Sequence, residues 1–489
     1  MAAIITEKFR LNNARQFKED FGESASSTYM FIGRPWLWGT DDTVETPVDN
    51  NSNEIDAYDD MVALKKITSS DVSHGIVRRD WTSGTIYDEY RHDYSSSNSA
   101  PSGATNLYDS RFHVITDDYN VYKCIRTGRD SSGNPVASDV KPTGTSSSSL
   151  VATSDSSAAS GRGYLWKYMY SITASDVIKF VTNDFIPVKT IGAQTEVIGD
   201  SAAIGSAASD DSSAQWDVEN DAVDGAILHI AVDSGGAGLN NGTYTSVAVK
   251  GDNGSGTDAE CTVTVAGGAI THVTMTTNGT GYKNAQLNLA DMSGVGTNSG
   301  TLTLTPIISP IYGHGADPVT ELGGNYVILN ARLEYAEGSG DFPTDNDFRR
   351  IGLVVDPFDA GTTTVATATT LSAVNKFIFN SGGSVSVDDI ITDASSDGVG
   401  VAKGRVVSWN SSTLEVSYLP VVNSDGTLES FSAADTVYVS GASVGTISSV
   451  TSGFPEVQRY SGQVTYIENR GAVSRAADQI EDIKLIIEM

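Results

Sequence analysis

The run from Arg459 to Met489 constrains this chain more than any other. Val464, Tyr466 and Glu468 alternate with Thr465, Ile467 and Asn469, and Ile483, Leu485 and Ile487 alternate with Lys484, Ile486 and Glu488. A period of two is the signature of a strand with one buried face. An apolar strand with an unpaired edge invites aggregation, so both runs must pair with strands laid down earlier. Partners are at hand: Val327, Leu329, Ala331 and Leu333 alternate with Tyr326, Ile328, Asn330 and Arg332, ahead of D-F-R-R-I-G-L-V-V-D-P at Asp347–Pro357. The fold class expected of the whole chain, on these runs together with the segments and the resemblance given below, is mainly β (α+β), a discontinuous antiparallel core with a few short helices and two inserted all-β modules.

Phe9, Asn13, Phe17 and Phe21 are spaced four apart and predict a short helix, closed by Gly22, whose aromatic face packs on a sheet. Tyr29–Gly39 is an apolar strand broken at Pro35, and a second helix is predicted over Asp56–Ile67, with Tyr58, Met61, Val62 and Leu64 its apolar members. R-F-H-V-I-T and N-V-Y-K-C-I-R predict a hairpin around Asp117–Asn120. Ser131–Gly161 has the composition of a long loop. In the strand after it Tyr164, Trp166, Tyr168 and Tyr170 share one face, which either builds a core or makes an interface. Ser175 and Asp176 offer an N-cap to D-V-I-K-F-V-T, and F-I-P-V at Phe185–Val188 returns to extended chain.

Composition turns Gly-, Ser-, Asn- and Thr-rich after about Thr195, and a repeat appears there. Gly225-Ala226-Ile227-Leu228-His229-Ile230 recurs as Gly268-Ala269-Ile270-Thr271-His272-Val273, and Gly236-x-Gly238 recurs as Gly279-x-Gly281, both at an offset of 43 (268 − 225). Two copies of one strand-turn-strand unit, stacked or paired, are expected. Five short apolar runs between Thr362 and Thr451 predict a small barrel or sandwich. The predicted organisation is a core from residues 1–195, 306–362 and 452–489, its second subdomain at 85–195, with modules inserted at 196–305 and 363–451.

Lys plus Arg number 31 against 61 Asp plus Glu, a formal net charge of −30. Such a surface repels nucleic acid and anionic membrane, and neither is expected as a partner. The opening M-A-A-I-I-T-E-K-F-R has no basic n-region, so no signal peptide is expected, and no run is apolar for the roughly 18 residues of a membrane span. Cys124 and Cys261 lack ligand-type spacing and are read as reduced, half-buried thiols. His229 and His272 occupy matching places in the repeat, which duplication explains better than a metal site. The loop Asp252–Glu260 has only loose calcium-like spacing. In Arg78-Arg79-Asp80-Trp81, Asp80 is expected to fix a neighbouring arginine while Trp81 anchors a packed contact. No catalytic constellation stands out.

K-F-R at Lys8–Arg10, F-I-G-R-P-W-L-W at Phe31–Trp38, R-R-D-W at Arg78–Trp81 and V-Y-K-C-I at Val121–Ile125 follow one another along the chain. G-Y-L-W-K-Y-M-Y-S-I at Gly163–Ile172, T-N-D-F-I-P-V at Thr182–Val188, F-R-R-I-G-L-V-V-D-P at Phe348–Pro357, S-G-Q-V-T-Y-I-E-N-R at Ser461–Arg470 and D-Q-I-E-D-I at Asp478–Ile483 complete the order. In these motifs the chain resembles the homodimeric baseplate wedge subunit of T-even-type contractile-tailed phages. The resemblance omits both insertions. It implies a mostly antiparallel β protein with no catalytic activity and no cofactor. The partners it implies are a second copy of the chain and other wedge subunits, in a tail baseplate of the virion assembled in the host cytoplasm. Arg78, Arg79, Asp80, Trp81, Tyr164, Trp166, Tyr168, Tyr170, Tyr466, Asn469 and Arg470 are the interface candidates. A carbohydrate-binding adhesin or tail-fibre protein is the alternative that the Gly-, Asn- and Thr-rich modules suggest. A β-helical or sandwich hydrolase would need two selected carboxylates, and no pattern selects them.

Overall fold

The computed structural model describes residues 4–23, 26–39, 43–192, 213–251, 255–334, 346–423, 426–476 and 479–489. In chain order the elements are α1 (Glu7–Asp20), β1 (Thr28–Gly33), α2 (Asn51–Asp60), β2 (Met61–Lys66), β3 (Val72–Val77), β4 (His113–Ile115), β5 (Asn120–Arg126), β6 (Val151–Ala152) and β7 (Leu165–Ser171). They continue with α3 (Ala174–Phe180), β8 (Phe185–Val188), α4 (Ala214–Asn220), β9 (Ile230–Gly235), β10 (Gly242–Ala248), β11 (Thr257–Ala266), β12 (Ala269–Thr280), β13 (Leu302–Pro306), α5 (Pro318–Leu322) and β14 (Tyr326–Leu333). The rest are β15 (Asn346–Val355), β16 (Thr370–Ser372), β17 (Asn375–Phe379), β18 (Ile390–Thr392), β19 (Lys403–Asn410), β20 (Glu415–Pro420), β21 (Thr436–Val439), β22 (Ala442–Val450), β23 (Gln463–Arg475) and β24 (Glu481–Glu488). The protein is mainly β, as the alternations predict. Residues 1–17, 73–328 and 486–489 form one compact unit, and residues 18–72 and 329–485 a second.

Both closing runs find partners. β23 is the edge of a five-stranded sheet ordered β16-β2-β1-β15-β23, and β24 is the edge of a sheet ordered β24-β14-β3-β8. Ile483 and Leu485 are buried, in keeping with their alternation. In the five-stranded sheet Phe31 lies opposite Gly352 and Gly352 opposite Ile467. A side chain at Gly352 would begin 2.3 Å from the Phe31 ring, so the glycine makes room for that ring on the buried face. Tyr29, Phe31, Leu64, Val354 and Leu371 fill the core there, with Val464 and Ile467 packed on it.

Three expectations are corrected in these elements. Strict alternation puts Val464 with Tyr466, but a bulge lets Leu353 face Tyr466 while Val354 faces Val464. The extra residue inverts the parity of the strand. Val464 and Ile467 therefore share the core face, and Tyr466 stands on the other side. The helix predicted over Asp56–Ile67 ends at Asp60, having begun at an Asn50 cap whose side chain accepts from the Asn53 amide. Met61, Val62, Ala63 and Leu64 are all buried in a strand between β1 and β16, and four successive buried residues suit an interior strand covered on both faces. In α1 the buried residues are Leu11 and Ala14; of the predicted aromatic row Phe21, just past the helix, is buried, Phe17 is half-buried and Phe9 is 56% exposed. The small Ala14 lets this face approach closely, and Leu11 enters a core with Ile76, Phe112, Met169 and Ile186.

The predicted hairpin is β4–β5, closed by a Thr116–Asn120 turn with Tyr119 at φ 57°. The α3 cap is Thr173, whose hydroxyl accepts from the Asp176 amide. In α5 the Asp317 side chain accepts from Thr320, and the helix stops at a left-handed Gly323. There Glu321 and Lys123 form a wholly buried ion pair, with the ammonium over the Tyr90 ring. Cys124 and Cys261 are free and fully buried rather than half-buried.

The repeat has a structural counterpart. Gly225 and Gly268, Gly236 and Gly279, and Gly238 and Gly281 all adopt positive φ, the region that favours glycine. The Leu239 amide donates to the Gly268 carbonyl and the Tyr282 amide to that of Gly225. Since 239 + 43 = 282 and 225 + 43 = 268, each bond is the other with the copies exchanged. Two copies related in this way dock as a pseudo-twofold pair. Their equivalents Ile227 and Ile270, Ile230 and Val273, and Leu239 and Tyr282 all enter one core.

Residues 375–450 form a closed six-stranded barrel, β17-β20-β19-β18-β21-β22, filled by Phe377, Phe379, Val406, Tyr418 and Phe431. The sixth strand, A-S-V-G-T-I-S-S-V, is the one the sequence did not announce. The module is also shorter than the 363–451 predicted, because Thr370–Ser372 pairs with β2 and Leu371 belongs to the five-stranded core. Entry and exit of the barrel are neighbours, with Phe377 opposite Val450 and the Thr451 amide donating to the Lys376 carbonyl at 3.0 Å.

Replacing residues 375–450 by a short Gly-Ser linker is therefore expected to leave a cooperatively melting protein. Loop closure changes by only about 0.6 kcal/mol per doubling of length, and losing the bonds from Arg459 to the Pro420 carbonyl and from Asn346 to the Val407 carbonyl, with the Arg405–Trp36 stack, costs about 1 kcal/mol each. A variant that no longer melts cooperatively would place the barrel within the core. Truncation before Arg459, by contrast, removes β23 and β24. The buried Ile483 and Leu485 of β24 contribute roughly 1.5–3 kcal/mol each and the partly buried Val464 and Ile467 of β23 a share of that, against a domain stability of about 5–15 kcal/mol, so this chain is expected to be insoluble or unfolded by circular dichroism.

Candidate functional site

The F-I-G-R-P-W-L-W stretch runs off the end of β1 into a cluster that draws together segments distant in sequence. Arg34 takes a left-handed backbone at φ 52°, and its guanidinium lies 3.8 Å from the centre of the Trp38 ring. Trp38 is buried, and its Nε1 donates to the Arg470 carbonyl at 3.0 Å. The Arg34 amide donates to the carbonyl of Asp60, the last residue of α2, at 2.9 Å. Gly33 is required here, since a Cβ would sit 2.8 Å from that carbonyl oxygen and 2.9 Å from Asp60 Oδ1.

The Asp60 carboxylate is almost wholly buried and accepts from Arg350 Nη1 at 2.6 Å. Arg350 Nε donates to Asn469 Oδ1 at 2.9 Å, and Asn469 Nδ2 to the Glu45 carbonyl at 2.9 Å. Burial pushes the Asp60 carboxyl up to about 7, with the Arg350 and Arg34 guanidiniums pulling it down in part. Burial likewise lowers Arg34, opposed by Asp60. Beside this pair opens a cavity of about 310 Å³ lined by Trp36, Asp56, Asp59 and Asp60 from the sheet side and by Arg405 and Val421 from the barrel. Arg405 stacks over Trp36 at 4.8 Å. Guanidinium–indole stacks with carboxylates alongside make a recognition surface for polar or charged groups. The lining contains no nucleophile beside a general base.

The predicted interface residues do not form one site. Asn469 and Arg470 belong to the cluster just described, while Tyr466 is half-buried with its hydroxyl donating to Glu468. In the other unit Arg78 forks onto Asp80 at 3.0–3.1 Å and donates to the Thr182 carbonyl, and Trp81 Nε1 donates to Ser138 Oγ at 3.2 Å. Asp80 fixes its neighbour and Trp81 anchors a packed contact, as expected. Arg79 turns inward to the His113 ring and the Tyr108 carbonyl. Burial, then Arg79, holds His113 down to about 3.

The aromatic row is corrected from interface to core. Tyr164, Trp166, Tyr168 and Tyr170 are each at most 2% exposed within the single chain. Tyr164 stacks on Trp166 and Tyr87 meets both edge-on, while Tyr170 joins the separate core that holds Met169. The strand is covered on both faces, which leaves no aromatic side for a partner. Sequence reasoning missed Arg34, Asp60 and Arg405. The available signals were Gly33 next to Arg34 and an acidic residue immediately before an apolar run. Of the loose calcium-like loop, Asp252, Asn253 and Gly254 lie outside the described residues, and Ala259 and Glu260 are in β11. Among the described residues no group of three or more His, Cys, Asp or Glu could hold a metal ion, and no helix is long and apolar enough to cross a membrane.

The family model described as Bacteriophage T4, Gp8 matches residues 3–152. The chain is also 24% identical over 208 residues to the baseplate wedge protein gp8 of Enterobacteria phage T4, a match covering 38% of this chain and 60% of that protein. The chain thus spans about three fifths of the length of the curated relative it matches. Both findings agree with the resemblance carried by the sequence motifs. Those at Lys8–Arg10, Phe31–Trp38, Arg78–Trp81 and Val121–Ile125 fall inside the family match.

The raised Asp60 value makes the ion pair testable. The ordinary carboxyl titrates at 3.8 and the folded one near 7, so between them the folded state keeps a proton that the unfolded state has lost. This contribution to stability is fully present below the unfolded value and is lost as pH rises through 7. Arg350→Met is expected to cost about 3–5 kcal/mol above pH 8, where it leaves a buried carboxylate unpaired, and less at pH 5. Denaturant unfolding at the two pH values measures the difference; an equal loss at both contradicts it.

Proposed function

We propose that the chain is a structural, non-catalytic subunit of a contractile phage tail baseplate, joining neighbouring wedge proteins in the virion. The observation that carries the reading is the match of residues 3–152 to the Gp8 family, with the remaining motifs following in order to the end of the chain. The architecture suits such a part. Its core strands come from distant segments and are tied by buried ion pairs at Asp60–Arg350 and Lys123–Glu321. The inserted β modules extend the molecule without interrupting its core register, and they offer surface for further virion contacts.

A tag inserted between Ser411 and Ser412, in the exposed turn joining β19 to β20, tests the reading in intact particles. Gold-labelled particles imaged by electron microscopy are expected to carry label around the tail tip with sixfold symmetry. Label on the capsid, on fibres alone, or absent would overturn it.

The purified chain is proposed to be a homodimer, with light scattering giving twice the chain mass at micromolar concentration; an obligate interface of about 2,000 Å² or more survives that dilution. Because the aromatic row lies in the chain's own core, Trp166→Ala is expected to lower the melting temperature, at a cost of about 3–5 kcal/mol, without releasing a folded monomer. A folded, stable Trp166→Ala monomer would return that row to the interface.

A further inference from the structure

His229 and His272, equivalent residues of the two repeat copies (272 − 229 = 43), come to the same cavity, a space of about 30 Å³ that they line with Arg126, Arg129, Arg162 and Thr271. The pseudo-twofold pairing explains the convergence: each copy delivers its own histidine to the junction, His272 from within β12 and His229 from the residue just ahead of β9. A single water needs about 10–15 Å³, so the cavity has room for a small ion, and the half-buried His272 leaves it a route to solvent.

The arginines are held here by carbonyls. Arg126 Nε and Nη2 donate to the Gly163 carbonyl at 3.0 and 2.7 Å, Arg129 Nη1 to that of Gly133 at 3.0 Å, and Arg162 Nη1 to that of Asp130 at 3.0 Å. Such bonds orient a guanidinium and leave its charge in place. Glu89 is the carboxylate in ion-pair range, 3.6 Å from Arg129 and 3.7 Å from His229, and it also lies 3.6 Å from Arg91. The Asp130 carboxylate turns away to the Ser132 amide and to Asn134. Glu89 acts on Arg126 and Arg129, and Asp130 on Arg162, so three guanidiniums against two carboxylates leave the cavity wall with an excess of positive charge in a chain whose net charge is −30. Burial lowers Arg126 to about 10 and holds both histidines below their ordinary range, and neighbouring guanidiniums act in the same direction. A neutral imidazole still offers one N–H donor.

We propose that this cavity binds a small tetrahedral oxyanion of the phosphate or sulfate class, held by Arg126, Arg129 and Arg162 and oriented by the paired histidines. Forked guanidiniums match such oxygens in geometry and charge. The probe is inorganic phosphate, titrated calorimetrically into the full chain at constant ionic strength in chloride. Saturable binding at one site per chain is expected, at least tenfold weaker in both Arg162→Gln and His272→Ala. Lys283→Gln, which makes the same charge change at an exposed residue outside the cavity, is expected to bind as the parent does. No saturable binding at millimolar phosphate, or binding equal in parent, Arg162→Gln and His272→Ala, would overturn the proposal. Melting temperatures of the variants matching the parent assign the loss to the site rather than to the fold.

Discussion

The five-stranded sheet depends on one strand being paired along both of its edges. β15 carries β1 on one side and β23 on the other, so segments near residues 30, 350 and 465 are held in register by a single backbone. Gly352 is the condition for this, because any side chain there would occupy the place of the Phe31 ring. The buried residues around it, Tyr29, Phe31, Leu64 and Val354, are apolar and closely fitted. The hydrophobic term for such a set is large, but it is non-directional and does not by itself choose the register. Register is chosen by the ring over the glycine and by the bulge opposite Leu353 and Val354.

A second, polar constraint sits at the end of the same strands. Asp60 and Arg350 are both nearly inaccessible, and their pair is completed by Asn469 and by the Trp38 ring, over which the Arg350 guanidinium lies. A buried pair of this kind adds little net stability compared with a well-packed apolar substitute, while removal of one partner is costly. Its effect is to penalise any arrangement in which α2, β15 and β23 are not together. Inserted modules can then lengthen the chain greatly, as the barrel does between β16 and β23, without loosening the arrangement of the strands around them.

Much of this was legible in particular residues. The alternations at Val327–Leu333 and Ile483–Ile487 gave the strands, and the 43-residue offset of Gly225 and Gly268 marked a duplication that the backbone bears out in its positive φ angles. What stayed hidden was whatever depends on partners far away in sequence. Met61–Leu64 reads equally well as one face of a helix or as an interior strand, and only β1 and β16 on either side decide it. The parity of β23 is set by a bulge that no local pattern announces. β22 is too rich in Gly, Ser and Thr to stand out, and its place is determined by closure of the barrel. Asp60, Arg34 and Arg350 are ordinary charged residues in the sequence, and their chemistry comes from a burial that the fold imposes. The aromatic row at Tyr164–Tyr170 was correctly seen as a single feature, but four large rings on a strand do not say which side of the molecular surface they occupy.

Three segments, β1, β15 and β23, each more than a hundred residues from the next, act as one cooperative sheet. Native-state hydrogen exchange on the full chain measures this directly, because amides that open only together report one common free energy. The interior amides of β1, β15 and the Val464–Ile467 part of β23 are expected to share a single, high protection free energy and to respond alike to added denaturant. Exchange of Val464–Ile467 at a free energy well below that of Phe31 and Leu353 would show that β23 is a separable edge, and would contradict the account.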